Sequence, residues 1–480
     1  MPLILDSAER PDFRIERREE HHEADIVIVG AGVVGCALAT NFARQNRSVI
    51  LIERSLKEPD RIVGELLQPG GIRSLEQLGM QDCLEGIDAI PSKGYDVIYY
   101  GQEADIPYTD QSLPKDAPKP EAKGFHHGRF IMKLREAAMK EKNVLVVETT
   151  ATDLVKDDHT NQILGVQCTT KGENDYYFGH LTIIADGYAS KFRKQHLQHQ
   201  PTVKSKFFAL ELLDADLPNP YHGHVIISEQ PPSLFYQIGT HETRALIDIP
   251  DVLPCCPNGI GNGGIKVHLR DHVTPTLPKN LQPSFLEALE KGTSLRSMPN
   301  SFLPPSVNKT KGMILIGDAM NMRHPLTGGG MTVAFNDCVL VRDLLAPEKV
   351  SDLGNTDLVL KQMAIFHEQR KHLGSVINIL SMALYSLFAA DDYHLKVLQK
   401  GCFNYFLLGG NCVDEPVGLL SGVIARRLVL LYHFYAVALL SIWVMIKEAP
   451  IYMFPFKFLE SFAVFWKACV VIGPFIWSEL

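Results

Sequence analysis

Residues 25–53 read DIVIVGAGVVGCALATNFARQNRSVILIE, and this stretch decides the fold. Two short apolar runs rich in β-branched residues, at 25–29 and 48–52, flank a segment whose apolar residues have helical spacing. A GxGxxG pattern directly follows the first run, with its glycines at Gly30, Gly32 and Gly35. Such glycines allow a tight turn and let a phosphate approach the N-terminus of the following helix. The stretch therefore predicts a strand, a turn, a helix and a second strand that bind a dinucleotide.

A carboxylate stands where such a unit uses one. Glu53 ends the second strand-like run, 18 residues after Gly35, and there it can accept hydrogen bonds from ribose hydroxyls. The alternative is a purely structural strand–helix turn. A second GxGxxG, at 259–264, follows PCCPN rather than a strand, so we expect a flexible loop there. At this point nicotinamide and flavin dinucleotides both remain open.

The composition excludes several classes of protein. The length of 480 residues suggests two or three domains, and 46% hydrophobic with 21% charged residues indicates a folded chain. With 47 basic and 55 acidic side chains the formal net charge is −8, so no nucleic-acid partner is expected. The nine cysteines include no CxxC pair, which favours a reducing compartment.

The C-terminal part of the chain is strongly apolar. Residues 428–446 carry no formal charge, and this length is close to what a bilayer span needs. A second apolar run, 458–477, is interrupted by Glu460 and Lys467. A charge near the middle of a bilayer costs about 2.5–3.5 kcal/mol, so we expect the second run to lie in the interface or to re-enter. Membrane association is predicted, with two buried helices of a soluble domain as the alternative.

Two further motifs favour a flavin dinucleotide over a nicotinamide dinucleotide. The sequence ADG, with Asp186, and the sequence GDA, with Asp318, each follow an apolar strand-like run. Either alone is ordinary turn chemistry. In this order after the GxGxxG, their carboxylates and helix N-termini suit the ribityl, pyrophosphate and ring oxygens of a flavin. The order resembles that of the flavoprotein monooxygenases of the para-hydroxybenzoate hydroxylase type, which implies FAD as the cofactor.

The remaining patterns predict how the domains are arranged. Short strand-like runs from about 95 to 250 predict an inserted antiparallel sheet, and beyond residue 355 the apolar spacing is helical. The fold class is therefore α/β, with a Rossmann-like FAD-binding domain, an inserted antiparallel-sheet substrate domain and a C-terminal helical membrane region. We divide the chain into a polar N-terminal segment (1–24), a discontinuous FAD-binding domain (25–94, 125–194 and 306–345), a substrate domain (95–124 and 195–305), a helical region (346–425) and membrane-associated helices (426–480).

A narrower resemblance rests on five runs, LKEPDRIVGELLQPGG (56–71), FHHGRFIMKLREAAM (125–139), ADGYASKFRK (185–194), LRSMPNSFLPP (295–305) and GDAMNMRHPLTGGGMTVAF (317–335). These runs are similar to those of the squalene epoxidase family, also called squalene monooxygenases, and the similarity extends over nearly all of residues 25–480. Animal members of that family carry an extra apolar N-terminal segment. This chain has a short polar one, which resembles a fungal form and leaves the C-terminal helices as the expected anchor.

The resemblance implies which residues hold FAD. Glu53 would face the ribose, Arg135 can offset pyrophosphate charge, and Asp318 would lie at a strand–helix junction. Ala151 corresponds to a further backbone contact on a less well matched strand. The full FAD set is Gly30, Gly32, Val33, Val34, Gly35, Glu53, Arg54, Arg61, Leu66, Arg135, Ala151, Asp186, Asp318 and Met331.

The same resemblance implies a substrate pocket above the flavin. Tyr95, held by Gln68, is expected to orient the flavin or the terminal alkene, and these two are the predicted catalytic residues. The other pocket residues are Pro325 and Leu326, with a route from the membrane lined by Phe388, Phe403, Phe406 and His433. For each aromatic residue plain core packing is the alternative. We predict no metal site, because the neighbouring residues His126 and His127 would point to opposite faces of a strand.

As a resemblance, the family implies a reaction and partners. Squalene and O2 would give (S)-2,3-oxidosqualene through a flavin 4a-hydroperoxide, in sterol biosynthesis. Electrons would come from NADPH through a separate microsomal diflavin reductase, because no second dinucleotide site is evident. The protein would lie in the endoplasmic reticulum membrane with its catalytic domain facing the cytosol. A geranylgeranyl-reductase-like flavoprotein and a non-catalytic membrane flavoprotein are the alternatives.

Overall fold

The computed structural model describes residues 22–114, 116–250, 264–291 and 295–479. Most of the polar N-terminal segment and residues 259–263 of the second GxGxxG lie outside this part of the chain. The strands are β1 (Glu23–Val29), β2 (Val49–Glu53), β3 (Leu66–Leu67), β4 (Ile90–Ser92), β5 (Gly94–Tyr99), β6 (Gln102–Pro107), β7 (Ala122–Gly124), β8 (Val144–Glu148), β9 (Thr150–Lys156), β10 (Ile163–Thr170), β11 (Glu173–Ile184), β12 (Thr202–Leu213), β13 (His222–Ile227), β14 (Ser233–Gln237), β15 (Glu242–Ile249), β16 (Arg296–Phe302) and β17 (Met313–Leu315).

The helices pack on both sheets and form the C-terminal third. They are α1 (Val33–Arg44), α2 (Pro69–Gln77), α3 (His127–Lys140), α4 (Arg193–His196), α5 (Gly264–His268), α6 (Gln282–Lys291), α7 (Gly330–Leu344), α8 (Thr356–Arg370), α9 (Gly374–Phe388), α10 (Tyr393–Leu407), α11 (Asn411–Leu420), α12 (Arg427–Lys447) and α13 (Phe454–Ser478). Short 3-10 turns at Gly317–Ala319 and Pro325–Thr327 lie between β17 and α7.

The first sheet contains the predicted strand–helix–strand unit, which is confirmed. Its order is β8-β2-β1-β11-β10-β9, with β17 paired to β11. The strands β8, β2, β1, β11 and β17 are mutually parallel. Because β1, β2, β17 and the end of β11 are buried, their runs are apolar throughout rather than alternating.

Parallel register brings the predicted motifs to one edge of this sheet. Val29 pairs with both Ile52 and Ile184, and Ile184 pairs with Leu315. The GxGxxG, Glu53, ADG and GDA motifs each follow one of these four strands. Since carboxyl ends of parallel strands meet at the same edge, Val29 and Leu315, 286 positions apart in sequence, end strands at the same edge.

The second sheet has the order β16-β12-β15-β14-β13-β5-β6. It is antiparallel apart from one parallel pair, β5 with β13. Not all the strand-like runs between 95 and 250 belong to it, because VLVVE, ILGVQC and LTIIA form strands of the first sheet. A small third sheet has the order β3-β7-β4. Its strands belong to segments of the chain that connect the first sheet to the second.

Two C-terminal helices are long and apolar enough to cross a membrane, by length and composition. They are Arg427–Lys447, with mean hydropathy 2.1, and Ile451–Ser478, with mean hydropathy 1.6. The charges that interrupt the second helix are paired: Glu460 Oε2 lies 2.7 Å from Lys457 Nζ, and Lys467 Nζ lies 2.5 Å from Asp392 Oδ2. Pairing lowers the cost of placing these charges in an apolar region, and by length and composition the second helix is a candidate span.

Candidate functional site

A cavity lies at the carboxyl edge of the first sheet, between that sheet and the second one. The first sheet and its helices contribute Gly32, Val33, Val34, Asp318 and Met331. The second sheet contributes an apolar wall of Tyr95, Val225, Leu234, Leu246 and Met298. The turn that precedes α7 closes one side with Pro325, Leu326, Thr327 and Gly328. One side of the cavity is therefore formed by the glycine-rich turn and the segment of Asp318, and the other by a largely apolar wall that also includes His224, Tyr236 and Ser301.

The glycine-rich turn has two structural glycines and one that faces open space. Gly30 has φ +102°, and a Cβ there would lie 2.6 Å from the carbonyl oxygen of Ala185. A Cβ on Gly35 would lie 1.8 Å from the carbonyl oxygen of Gly30. At Gly32 a Cβ would meet nothing within 4 Å, and the first turn of α1 carries no acidic residue. The free N–H groups of this helix N-terminus therefore face an open space that suits a phosphate.

Glu53 and Arg135 brace the glycine-rich turn. The Glu53 Oε2 accepts a hydrogen bond from the Ala31 N–H at 2.8 Å. Arg135, which is buried, donates through Nε to the Ala31 carbonyl at 3.0 Å and through Nη1 to the Lys57 carbonyl at 3.0 Å. Its Nη2 lies 3.7 Å from Glu53 Oε2. Both predicted residues thus bind the backbone of the turn at Ala31, and neither lines the cavity.

Arg193 joins the two aspartate motifs. Its buried guanidinium donates from Nη2 to the Gly187 carbonyl at 2.9 Å and from Nη1 to the Asp318 carbonyl at 3.1 Å. Asp186 Oδ1 is buried without a hydrogen-bond partner, and the Asp318 carboxylate, at the cavity wall, accepts no hydrogen bond from the described residues. Asp186 does not line the cavity, but the Asp318 carboxylate does, and a hydroxyl of a bound dinucleotide would satisfy it, so the residues present fit such a group.

Tyr95 and Gln68 meet, as predicted, and both reach the turn before α7. The Tyr95 hydroxyl lies 3.0 Å and Gln68 Nε2 lies 2.9 Å from the Thr327 carbonyl oxygen. A carbonyl only accepts, so both groups donate to it. Gln68 also contacts the Tyr95 hydroxyl through Nε2 and accepts from the Tyr108 hydroxyl through Oε1 at 2.6 Å. The hydroxyl of Tyr95 is therefore engaged with the protein, and burial raises the pKa of Tyr95 to about 12.

A buried ion pair connects the cavity wall to the second sheet. Arg244 on β15 donates to both oxygens of Glu65, from Nε and from Nη2, each at 2.8 Å. Tyr236 adds a hydroxyl 3.4 Å from Glu65 Oε2. Burial raises the pKa of Glu65, and the guanidinium of Arg244 opposes that shift. This two-point contact fixes the segment before β3 against the second sheet.

The residues predicted for the route from the membrane lie behind the apolar wall. Phe388, Phe403 and Phe406 share one apolar cluster with Tyr95 and Leu326 of the cavity. Residues of the C-terminal helices belong to the same cluster, including Ala438, Met445, Val464, Ala468 and Val471. The cavity and the two apolar helices are thus connected by continuous hydrocarbon packing.

His433 has a polar role within this region. Its Nδ1 lies 2.7 Å from the Tyr405 hydroxyl, and its Nε2 lies 2.6 Å from Glu415 Oε2. None of Phe388, Phe403, Phe406 and His433 lines the cavity itself. Phe388 ends α9, Phe403 and Phe406 lie on α10, and His433 lies on α12, the first of the two apolar helices.

The other predicted FAD residues divide into two groups. Arg61, Leu66 and Met331 line the cavity. Arg54 is exposed just after β2, and Ala151 lies on β9 opposite Cys168, and neither lines it.

The comparisons with known proteins agree with one another. A sequence model described as squalene epoxidase matches residues 178–459 of this chain. Squalene epoxidase erg1 of Aspergillus fumigatus is 59% identical over 476 residues, which are 99% of this chain and 96% of that protein. The chain belongs to the squalene epoxidase family. Squalene monooxygenase of Mus musculus is 42% identical over 95% of this chain and 78% of the mouse protein.

Solved structures outside the family share its fold. The p-nitrophenol 4-monooxygenase PnpA of Pseudomonas putida superposes with a TM-score of 0.66 at 15% identity, over 84% of this chain and 98% of PnpA. Flavin-dependent monooxygenases are among these neighbours, so the predicted fold class is confirmed. The cavity described above is accordingly the candidate flavin site of this chain.

Sequence reasoning missed several residues of this site. Arg193 was visible in the run ADGYASKFRK, but its partners are carbonyl groups that leave no mark in the sequence. Glu65 and Arg244 are 179 positions apart, and nothing local connects them. The structure also corrects the reason for excluding a metal at His126 and His127: α3 begins at His127, so these residues form a helix start and not a strand. The His127 Nδ1 lies 2.8 Å from the Gly64 carbonyl oxygen.

Proposed function

We propose that this protein is an FAD-dependent monooxygenase that converts squalene, O2, two electrons and two protons into 2,3-oxidosqualene and water. The observation that carries the proposal is identity of 59% over 99% of the chain with a squalene epoxidase, supported by a cavity with a glycine-rich turn on one side and a largely apolar wall on the other. In this proposal FAD occupies the turn and the open space at Gly32, and a terminal alkene of squalene packs on the second sheet.

Bound FAD supplies the activation of O2 and the oxygen atom that is transferred. The protein supplies binding, orientation and exclusion of water. Squalene has no hydrogen-bonding group, so its selection depends on shape and on burial of apolar surface. Val225, Leu234, Leu246 and Leu326 provide that surface at the cavity.

Two titratable side chains at the cavity, Tyr95 and His127, are not poised for acid–base chemistry near neutral pH. The Tyr95 hydroxyl is committed to Thr327, and its raised pKa keeps it protonated. Burial lowers the pKa of His127 to about 4, so this histidine is neutral. We therefore assign Tyr95 and Gln68 a positioning role at the cavity wall: they hold the turn of Pro325–Thr327, and the Tyr95 ring supplies contact surface.

We also propose the electron donor and the location. An NADPH-dependent microsomal diflavin reductase would supply electrons, because the described GxGxxG serves FAD and no separate nicotinamide-binding unit is evident in the sequence. The two apolar helices would hold the protein in the endoplasmic reticulum membrane, with the catalytic part in the cytosol.

Reconstitution of the full chain in detergent tests the function. The purified protein is incubated with squalene, FAD, NADPH, the reductase and 18O2, and the products are read by mass spectrometry. Oxidosqualene heavier by one 18O atom is expected, with the reductase required for flavin reduction. A saturated isoprenoid formed without O2 would favour the reductase-like alternative. Bound flavin without any squalene-dependent O2 uptake would favour a non-catalytic flavoprotein.

A further inference from the structure

Asp248 is a fully buried carboxylate that is stabilised by neutral donors. It lies on β15 and receives hydrogen bonds at Oδ1 from the Ser205 hydroxyl and from Asn300 Nδ2, the latter at 3.0 Å. Its Oδ2 receives one from the Tyr385 hydroxyl at 3.2 Å. These partners come from β12, β16 and α9, so the carboxylate joins the second sheet to the helical region.

His324 connects this carboxylate to the turn beside the cavity. The His324 Nδ1 accepts from the Leu326 N–H at 3.2 Å, so in the neutral ring Nε2 carries the hydrogen. That Nε2 lies 3.3 Å from the Ser205 Oγ and 3.8 Å from Asp248 Oδ1, so Ser205 is its nearer partner. The Ser205 hydrogen points to Asp248, which leaves its lone pairs for His324 and for Asn300. The Leu326 N–H therefore donates to His324, His324 donates to Ser205, and Ser205 donates to Asp248.

The ring of His324 is also fixed in place. It stacks on Tyr385 with centroids 3.8 Å apart and an interplanar angle of 13°. Burial lowers the pKa of His324, which keeps it neutral, although Asp248 opposes that shift. A second proton on Nδ1 would face the Leu326 N–H and break the cap of the turn.

The three residue types Ser, His and Asp suggest a hydrolase triad, but their order of donation excludes it. In a triad the histidine accepts the hydrogen of the serine and so activates it as a nucleophile. Here His324 donates to Ser205, and the serine hydroxyl is directed at Asp248. Ser205 is moreover fully buried and does not line the cavity.

The turn of Pro325–Thr327 is held at both ends. His324 caps its start, and the Thr327 carbonyl at its end accepts from Tyr95 and Gln68. The Thr327 hydroxyl lies 2.6 Å from the Ser381 hydroxyl on α9. Between these contacts Pro325 and Leu326 face the cavity. Hydrogen bonds thus connect Asp248 to the turn that carries the surface on which the substrate would pack.

We propose that His324, as the Nε2–H tautomer linked through Ser205 to Asp248, is a positioning residue that fixes the 324–328 turn and the orientation of Tyr95 against the substrate. This inference rests on the proposed function. Loosening of the turn admits water and lets the alkene move. O2 is then reduced to hydrogen peroxide with electrons from NADPH, and no oxygen atom is transferred to squalene. The role is therefore expressed as coupling, the epoxide formed per NADPH consumed.

The test compares His324→Ala, His324→Asn and Ser205→Ala in the full chain. Asparagine can still cap the Leu326 N–H but cannot reach Ser205. All three variants are expected to bind FAD within threefold of the unsubstituted protein and to release at least fivefold more hydrogen peroxide per epoxide, with a raised KM for squalene. The double variant His324→Ala/Ser205→Ala should be no worse than His324→Ala, because both changes break one chain of donation.

A second readout does not depend on turnover. In the protein without flavin, hydrogen exchange of the peptide covering 320–332 should be faster in His324→Ala, because the Leu326 N–H loses its acceptor. His196→Ala, which removes a histidine bonded to Thr310, and Ser386→Ala, on the same helix as Tyr385, are matched controls and should change neither readout. Unchanged coupling and unchanged exchange in a folded His324→Ala would overturn the proposal. If the unsubstituted protein makes no epoxide while exchange is still faster in His324→Ala, the assignment of the turn stands and the proposed function is rejected.

Discussion

The Tyr95 hydroxyl donates a hydrogen bond of 3.0 Å to the carbonyl oxygen of Thr327, a residue 232 positions later in the chain. Tyr95 belongs to the second sheet, and Thr327 to the turn that precedes α7. The contact joins the second sheet to this turn at the wall of the cavity. It also means that the hydroxyl is a structural donor and not a free group that faces the ligand.

Replacement of Tyr95 by phenylalanine separates these two roles. Tyr95→Phe keeps the ring but leaves Thr327 with Gln68 as its remaining donor, so we expect a loss of about 1 kcal/mol in the free energy of unfolding. FAD affinity should be unchanged, and the rate of epoxidation should fall several-fold because the turn moves. Tyr100→Phe, at an exposed neighbour, is the control. An unchanged rate at saturating squalene would reduce Tyr95 to a packing residue.

Asp318→Ala should weaken the binding of FAD. The carboxylate lies at the cavity without a protein donor, so a ligand hydroxyl is its expected partner. A hydrogen bond to a charged group contributes about 1.5–3 kcal/mol, which corresponds to a dissociation constant raised about 10- to 100-fold. Flavin fluorescence titration measures it, with the exposed Asp158→Ala as control. Full flavin occupancy of the purified variant would show that Asp318 does not contact the cofactor.

Glu65→Gln should destabilise the protein strongly. The substitution removes the buried counter-charge of Arg244 and leaves only Glu211, a more exposed carboxylate 3.3 Å from Nη2, so the expected cost is about 3 kcal/mol. Denaturant unfolding measures the loss, and Glu85→Gln, at an exposed glutamate, should change little. The double variant Glu65→Gln/Arg244→Met should recover part of the loss, because it removes the uncompensated charge. A single variant as stable as the parent protein would mean that the pair is not closed in solution.

Asp96 gives a dependence of stability on pH. Burial, together with Glu103 and Asp105, raises its pKa from 3.8 to about 6, and the His224 Nε2 lies 3.8 Å from its Oδ2. Between those pH values the folded state binds more protons at this site than the unfolded state, so stability is lost as the pH rises toward and through 6.

Asp96→Asn removes this titration. Its melting temperature should exceed that of the parent protein above pH 6, and the difference should shrink as the pH falls toward 4.5. Melting curves from pH 4.5 to 7.5 check it, with the exposed Asp158→Asn as a control. A difference that is constant across this range would contradict the raised pKa of Asp96.

Leu439→Glu should weaken attachment to membranes. Leu439 is exposed on the first apolar helix, and a charged side chain in the middle of a bilayer costs about 2.5–3.5 kcal/mol. Co-flotation with liposomes should therefore fall, while FAD binding remains. Val203→Glu, at an exposed site on β12, should float like the parent protein. Equal flotation of the two variants would place Leu439 outside the lipid.

The sequence alone was sufficient for the fold class and for the position of the flavin motifs. The GxGxxG at 30–35, Asp186 and Asp318 each follow an apolar run, and parallel strands carry such segments to a common edge. These signals are local, because each depends on a strand, a turn and a helix start within about ten residues. The apolar helices were likewise readable from length and composition, since a bilayer imposes both.

Only the tertiary structure decided the contacts that give the cavity its shape. Arg193 binds carbonyl groups, and backbone acceptors have no residue-specific signature. Thr327 acts through its carbonyl, and Asp248 reaches the cavity through Ser205 and His324, which lie on separate elements. The physical reason is that hydrogen-bond chains and buried ion pairs depend on the packing of elements remote in sequence, whereas strand, turn and helix propensities depend on neighbours along the chain.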